Sequence, residues 1–155
     1  MSAFVTKLKQ LNACSEAIDW ITKNNYTFEQ AWNNCHRPDW MYWLIGRTKL
    51  DRKLVVLSAV ECAELAIEFV NEDSLLAVVW CLDATRRWCE GEDNLDEVQA
   101  AADAAAAAYV AYAAANAAAA YAAAAAYAAR TKMNKKCAAA IRSGIPFSII
   151  KGEVA

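Results

Sequence analysis

The sequence predicts an all-α protein, a compact multi-helix bundle, on three observations. Residues 100–129 hold 23 alanines in 30 positions, and alanine is the strongest helix former. The 155-residue chain has only four glycines and two prolines, so breakers are scarce. Outside the alanine run, apolar residues recur three and four apart, the period of a helix with one buried face. The length fits one domain with room for a sizeable core. Three stretches are expected within it: tryptophan-rich helices over 1–94, an alanine-rich helix over 95–130, and a short helix with a docked tail over 131–155.

The elements follow in order. Phe4, Leu8 and Leu11 form a helical stripe within 2–14. Ser15 is the expected N-cap of a helix over 16–23, with Ile18 and Ile21 on one side. In "TFEQAW", Thr27 and Gln30 make a capping-box pair, and that helix should end near Asn33–Asn34. Pro38 suits a first helical position, and Asp39 lies in the first turn, where the helix end is positive. Trp40, Trp43 and Leu44 form an i, i+3, i+4 stripe expected in the core, and Gly46 ends the helix. Asp51 is expected to start a helix reaching Val70, with Glu61, Glu64 and Glu68 as a solvated acidic stripe. "NEDS" reads as a turn, Ser74 as a cap for 75–90, and Gly91 as the stop. Asn94 and Glu97 mark the start of the alanine helix. "KKCAAAIRSG" reads as a separate short helix with a glycine C-cap at Gly144 and a proline stop. "IPFSIIKGEVA" is apolar enough to dock.

The alanine run has its own logic. A helix coated in alanine lets neighbours approach toward the lower end of the usual 8–10 Å separation. Its place is therefore the centre of a bundle or an oligomer interface. At 100° per residue, Tyr109, Tyr112, Asn116 and Tyr127 fall within an arc of about 60°, forming a contact stripe. Asp103, Val110 and Tyr121 fall on a second line. Roughly 35 helical residues would span about 52 Å, against a domain diameter of roughly 40 Å. The helix must kink or break, with Asn116 the expected place, or protrude into a homo-oligomer. A membrane span is not expected, because alanine contributes little transfer energy and the tyrosines do not sit at the two ends.

Composition narrows the function. Sixteen basic and 18 acidic residues give a charge of -2, without the basic footprint of a nucleic-acid binder. No P-loop, G-x-S-x-G, H-E-x-x-H or G-x-G-x-x-G pattern occurs. His36 is the only histidine, so neither a di-iron carboxylate site nor a zinc site can be assembled from familiar ligand sets. The six cysteines carry no C-x-x-C pair or signal-peptide pattern. They are expected as buried free thiols in a reducing compartment, with a cytoplasmic location. No catalytic residue, metal or cofactor is expected.

The remaining candidates are charges beside tryptophans. Arg37 and Asp39 stand in "HRPDW", and Asp83, Arg86 and Arg87 in "CLDATRRWCEGE". Arginine beside tryptophan can staple helices or bind an anion or a protein partner. Arg37, Asp39, Asp83 and Arg87 are expected to share a buried or half-buried polar network. The candidate binding residues are these with Trp40, Trp43, Arg86, Tyr109, Tyr112, Asn116 and Tyr127.

"CHRPDWMYWLIGR", "DRKLVVLSA", "ATRRWCEGE" and "DEVQAAADAA", in that order, resemble an alanine-rich helical family of bacteria and phages described as immunity proteins. The resemblance runs from Cys35 to Ala129. It implies a helical fold and a non-catalytic protective role, in which the protein binds and occludes a toxin or other antagonist. The alternative is a helical phage counter-defence protein that sequesters a small anionic, nucleotide-like metabolite.

Overall fold

The computed structural model describes residues 3–70, 72–116 and 123–154, with side chains except those of residues 69 and 106–129. The described residues form nine α-helices and one 3-10 turn, and none of them is in a strand. The tyrosine stripe of Tyr109, Tyr112, Asn116 and Tyr127 therefore lies outside the described side chains.

Helices α1 (Ala3–Gln10), α2 (Ser15–Lys23), α3 (Phe28–Asn34) and α4 (Pro38–Ile45) are short. Asparagines in the left-handed region, Asn12 at φ 59° and Asn25 at φ 51°, turn the chain after α1 and α2. Thr27 makes the capping box: its hydroxyl accepts from Gln30 N, and Gln30 Oε1 accepts from Thr27 N. Pro38 opens α4, and Gly46 caps its end. Ser15 is not the N-cap of α2. Cys14 holds that position because its carbonyl accepts the first helical bond, from Ile18 N.

Helix α5 (Arg52–Glu64) is capped by Asp51, whose carboxylate accepts from Lys53 N. It stops six residues short of the expected Val70. Backbone bonding tightens from i→i−4 to i→i−3 at Ala66, and a 3-10 turn follows over Ile67–Phe69. Helix α6 (Glu72–Glu90) starts two residues before the expected cap. Glu72 and Asp73 fill its first turn, where carboxylates are stabilised, and Ser74 is buried instead of capping. Gly91, at φ +114°, ends α6. Asn94 occupies the N-cap position of α7 (Leu95–Asn116), its carbonyl accepting from Val98 N. Its side-chain amide donates to Ala84 O of α6.

The described residues of the alanine-rich sequence form helix α7 (Leu95–Asn116) and the first part of helix α8 (Ala123–Gly144). The expected course of the alanine helix through 117–122 lies outside the described residues. The "KKCAAAIRSG" segment is thus the C-terminal part of α8. Gly144 is helical, not a left-handed cap. A Cβ there would stand 3.5 Å from Ser58 Cβ, an ordinary van der Waals contact, so the packing against α5 does not require a glycine. Helix α9 (Phe147–Val154) docks as expected, burying Ile150 and Val154.

The core joins α1–α4 to α8 and α9. Ile141, Ile145 and Ile150 are fully enclosed, among Val5, Leu8, Trp32, Met41, Leu44 and Ile45. Phe28 links three elements, stacking on Phe4 at 4.4 Å and meeting Phe147 edge-on at 5.0 Å. Across α5 and α8, Cys62 Sγ donates to Cys137 O at 3.5 Å and Cys137 Sγ donates to Cys62 O at 3.8 Å. Arg142 of α8 donates to Cys35 O at 2.7 Å and reaches Trp32 O at 3.5 Å, satisfying carbonyls at the end of α3. On the far side of α5, α6 and α7 pack as a pair. No described helix is long and apolar enough to cross a membrane.

Ile141→Ala should lower unfolding free energy by about 2–5 kcal/mol, the usual cost of emptying a tightly packed site. Thr27→Ala should cost only about 1 kcal/mol, as an exposed cap does. Urea denaturation followed by circular dichroism checks both values.

Candidate binding site

Two regions gather the chemistry-bearing side chains. The first is a cleft of about 410 Å³ among α1–α4. Its volume is within the roughly 300–1,000 Å³ typical of small-molecule pockets. Trp20, Trp32, Trp40 and Trp43 contribute to its walls, with Phe4, Phe28 and Met41. Trp20 sits against Trp40 at 5.9 Å and against Tyr26 at 5.2 Å. Trp32 is 3 % exposed, and its Nε1 is sealed in without a hydrogen-bond partner among the described residues. Leu44 is buried as the stripe predicts, whereas Trp40 and Trp43 are half-buried.

Arg37 closes the rim of this cleft. Its guanidinium makes a bidentate bond to Asp39, at 2.9 and 2.8 Å, and a 3.0 Å bond to Glu16. The same group lies 4.5 Å over the Trp40 ring, while Arg47 lies 3.8 Å over Trp43. The Arg37 hydrogen bond holds the Asp39 carboxyl below its ordinary range. One guanidinium between two carboxylates leaves the rim with no positive charge to spare. Beside it, Cys35 is buried, and burial pushes its thiol up, keeping it protonated at neutral pH. An activated thiol needs the opposite environment.

The second region is the α6–α7 pair. Arg87 binds Asp83 at 3.0 Å, Glu92 at 2.7 Å and Glu97 at 2.6 Å. Arg86 instead makes a bidentate pair with Glu64 of α5, at 2.8 and 2.7 Å. The expected single network of Arg37, Asp39, Asp83 and Arg87 is therefore two networks, because each arginine finds carboxylates on the helices packed next to its own. The expected solvated stripe on α5 is also spoken for: Glu64 holds Arg86, and Glu68 faces Lys136 of α8 at 3.7 Å.

Sequence reasoning missed the outward side of α6. Leu76 is 83 % exposed, Val79 43 % and Trp80 41 %, and at i, i+3 and i+4 they form one ridge. Trp80 is fixed there by its Nε1–H, which donates to Glu97 Oε1 at 3.1 Å. Leu95, at the start of α7, is 60 % exposed. The signal was present in the sequence: this apolar triplet lies off the buried line of Ser74 and Ala84. A third feature is an open basin of about 630 Å³ lined by His36, Arg37, Arg130, Asn134 and Lys135.

Among the described residues no cluster of His, Cys, Asp or Glu could hold a metal ion. Comparison with protein-family models, curated proteins and solved structures finds no match to this chain.

Because its folded-state ionisation is held low, Asp39 contributes stability above the ordinary aspartate value. That contribution is lost as pH falls through its depressed folded value. NMR titration should give Asp39 a midpoint below the usual ~3.9, and Arg37→Ala should return it toward that value. An unchanged midpoint would mean that the bidentate pair does not persist in solution.

Proposed function

We propose that the protein is a non-catalytic binding protein, immunity- or inhibitor-like, that neutralises a toxin or defence component by occluding it. The observation that carries this reading is the exposed ridge of Leu76, Val79 and Trp80 on α6. Singly exposed apolar residues are ordinary, but a contiguous group on a helix marks an interaction surface. Burying one such side chain against a partner is worth about 1.5–3 kcal/mol. Tryptophan is also the residue most enriched among binding hot spots. Occlusion needs a surface and no catalytic set. The resemblance of its motif order to that of immunity proteins points to the same role.

The alternative reading is sequestration of a small anionic, nucleotide-like metabolite, as in phage counter-defence. It draws support from the basin where Arg130 and Lys135 stand with no carboxylate partner among the described residues. Against it, the arginines beside tryptophans and carboxylates are internally matched: Arg37 by two carboxylates, Arg86 by one and Arg87 by three. A bound phosphate would have to displace these partners.

Native mass spectrometry of the protein recovered from its host cell separates the two. Occlusion predicts a co-purifying macromolecule. Leu76→Asp with Trp80→Ala should weaken its binding by roughly 30- to 1,000-fold, from about 2–4 kcal/mol of hot-spot loss. A small anion retained by both forms, with no macromolecule, would replace occlusion with sequestration.

A further inference from the structure

Charge is strongly segregated along the chain. Residues 72–103 hold nine carboxylates against two arginines, a net charge of -7. The rest holds nine carboxylates against fourteen lysines and arginines, a net charge of +5. The near-neutral total hides an acidic segment set in a basic remainder. The acidic segment is α6 with the first part of α7, and it also carries the apolar ridge.

The placement of these charges on α6 is specific. At 100° per residue, Glu72, Asp73, Asp83, Arg87 and Glu90 fall on the same side as Leu76, Val79 and Trp80. The cations on this side are both held: Arg87 by Asp83, Glu92 and Glu97, and Arg86, at the edge beside Val79, by Glu64 of α5. Glu72, Asp73 and Glu90 are exposed and make no ion pair among the described residues. The ridge thus lies between unpaired carboxylates at the two ends of the helix. Asp93 and Asp96, both exposed, add negative charge at the start of α7.

We infer that the ridge receives a cationic amphipathic helix of the partner, its apolar stripe set against Leu76, Val79 and Trp80 and its lysines or arginines against Glu72, Asp73 and Glu90. This rests on the occlusion reading and names the chemistry of what is occluded. An i, i+3, i+4 ridge matches the ridge-and-groove geometry of a helix laid against it. Complementary charge supplies what the ridge alone lacks: it excludes acidic and neutral helices and speeds encounter. An acidic helix placed there would set like charges against Glu72, Asp73 and Glu90 with no cation free to offset them.

The test uses two labelled model peptides, an amphipathic helix of leucine and lysine and its leucine–glutamate counterpart, with binding read by fluorescence anisotropy. The lysine peptide should bind and the glutamate peptide should not. Raising salt on the unaltered protein should weaken binding steeply. Both Glu72→Gln/Asp73→Asn/Glu90→Gln and Leu76→Ser/Trp80→Ser should lose affinity at least tenfold, with helical circular dichroism unchanged. A charge variant that binds as tightly as the unaltered protein overturns the cationic assignment; if the ridge variant still fails, occlusion by the ridge stands. Equal binding of both peptides, or of neither, also overturns it. So does a dimer, seen by sedimentation, that Leu76→Ser/Trp80→Ser splits, since a second copy would then occupy the ridge.

Discussion

The architecture depends on how closely α8 can approach α5. Ala138 and Ile141 of α8 are completely enclosed, and Gly144 faces the Ser58 side chain of α5 with ordinary van der Waals room for a Cβ between them. Ser58 is itself 1 % exposed, with its hydroxyl bonded to Val55 O at 2.8 Å and shared with Tyr42 at 3.2 Å. Small residues set the separation, and the reciprocal Cys62 and Cys137 contacts close the seam. Burial pushes the Cys62 thiol up to about 11, so this thiol stays protonated at neutral pH. With α8 held this deep, Arg142 reaches the carbonyls at the end of α3, and Ile141 and Ile145 meet the helices that wall the cleft.

Charge plays a different part on each side of this seam. Around the cleft, a few ionic groups are matched within one small cluster, and cation–π contacts cover the half-buried tryptophans. Exposed pairs of this kind contribute only about 0–1 kcal/mol each, whereas each enclosed isoleucine is worth several times that. The core therefore carries the stability. The ion pairs fix which side chains face outward, as Arg87 does in joining the end of α6 to the first turn of α7.

Much of the fold was legible because helix signals are local. The Thr27 capping box, Pro38 at the start of α4, Gly46 and Gly91 at helix ends and the docking of the C-terminal segment all follow from residues within a turn of one another. The departures come from distant partners. Gly144 resembles a cap in sequence but lies within α8, packed against Ser58 of α5, and Asn94 sits at a cap position but bonds to α6. The candidate site was legible in its residue types and not in its grouping. Arg37 and Asp39 meet as neighbours, whereas Glu16 and Arg37 are 21 residues apart and Arg86 and Glu64 are 22 apart. The alanine run specifies a helix almost anywhere along its length. Its uniform surface carries no local sign of which neighbours it packs against.

The core has a consequence for synthesis. Among the described residues its fully buried members come from Val5 to Ile45 and then from Ala138 to Val154, and the stretch between adds only partly buried side chains such as Leu54, Val55 and Cys62. A ribosome makes the first set well before the second. Helices α1–α4 therefore wait with their apolar faces uncovered while the residues between are made. Contacts this distant in sequence are slow to close, so the core cannot assemble progressively along the chain. In the interval, the nascent N-terminal helices are a natural client for chaperones that shield apolar surface.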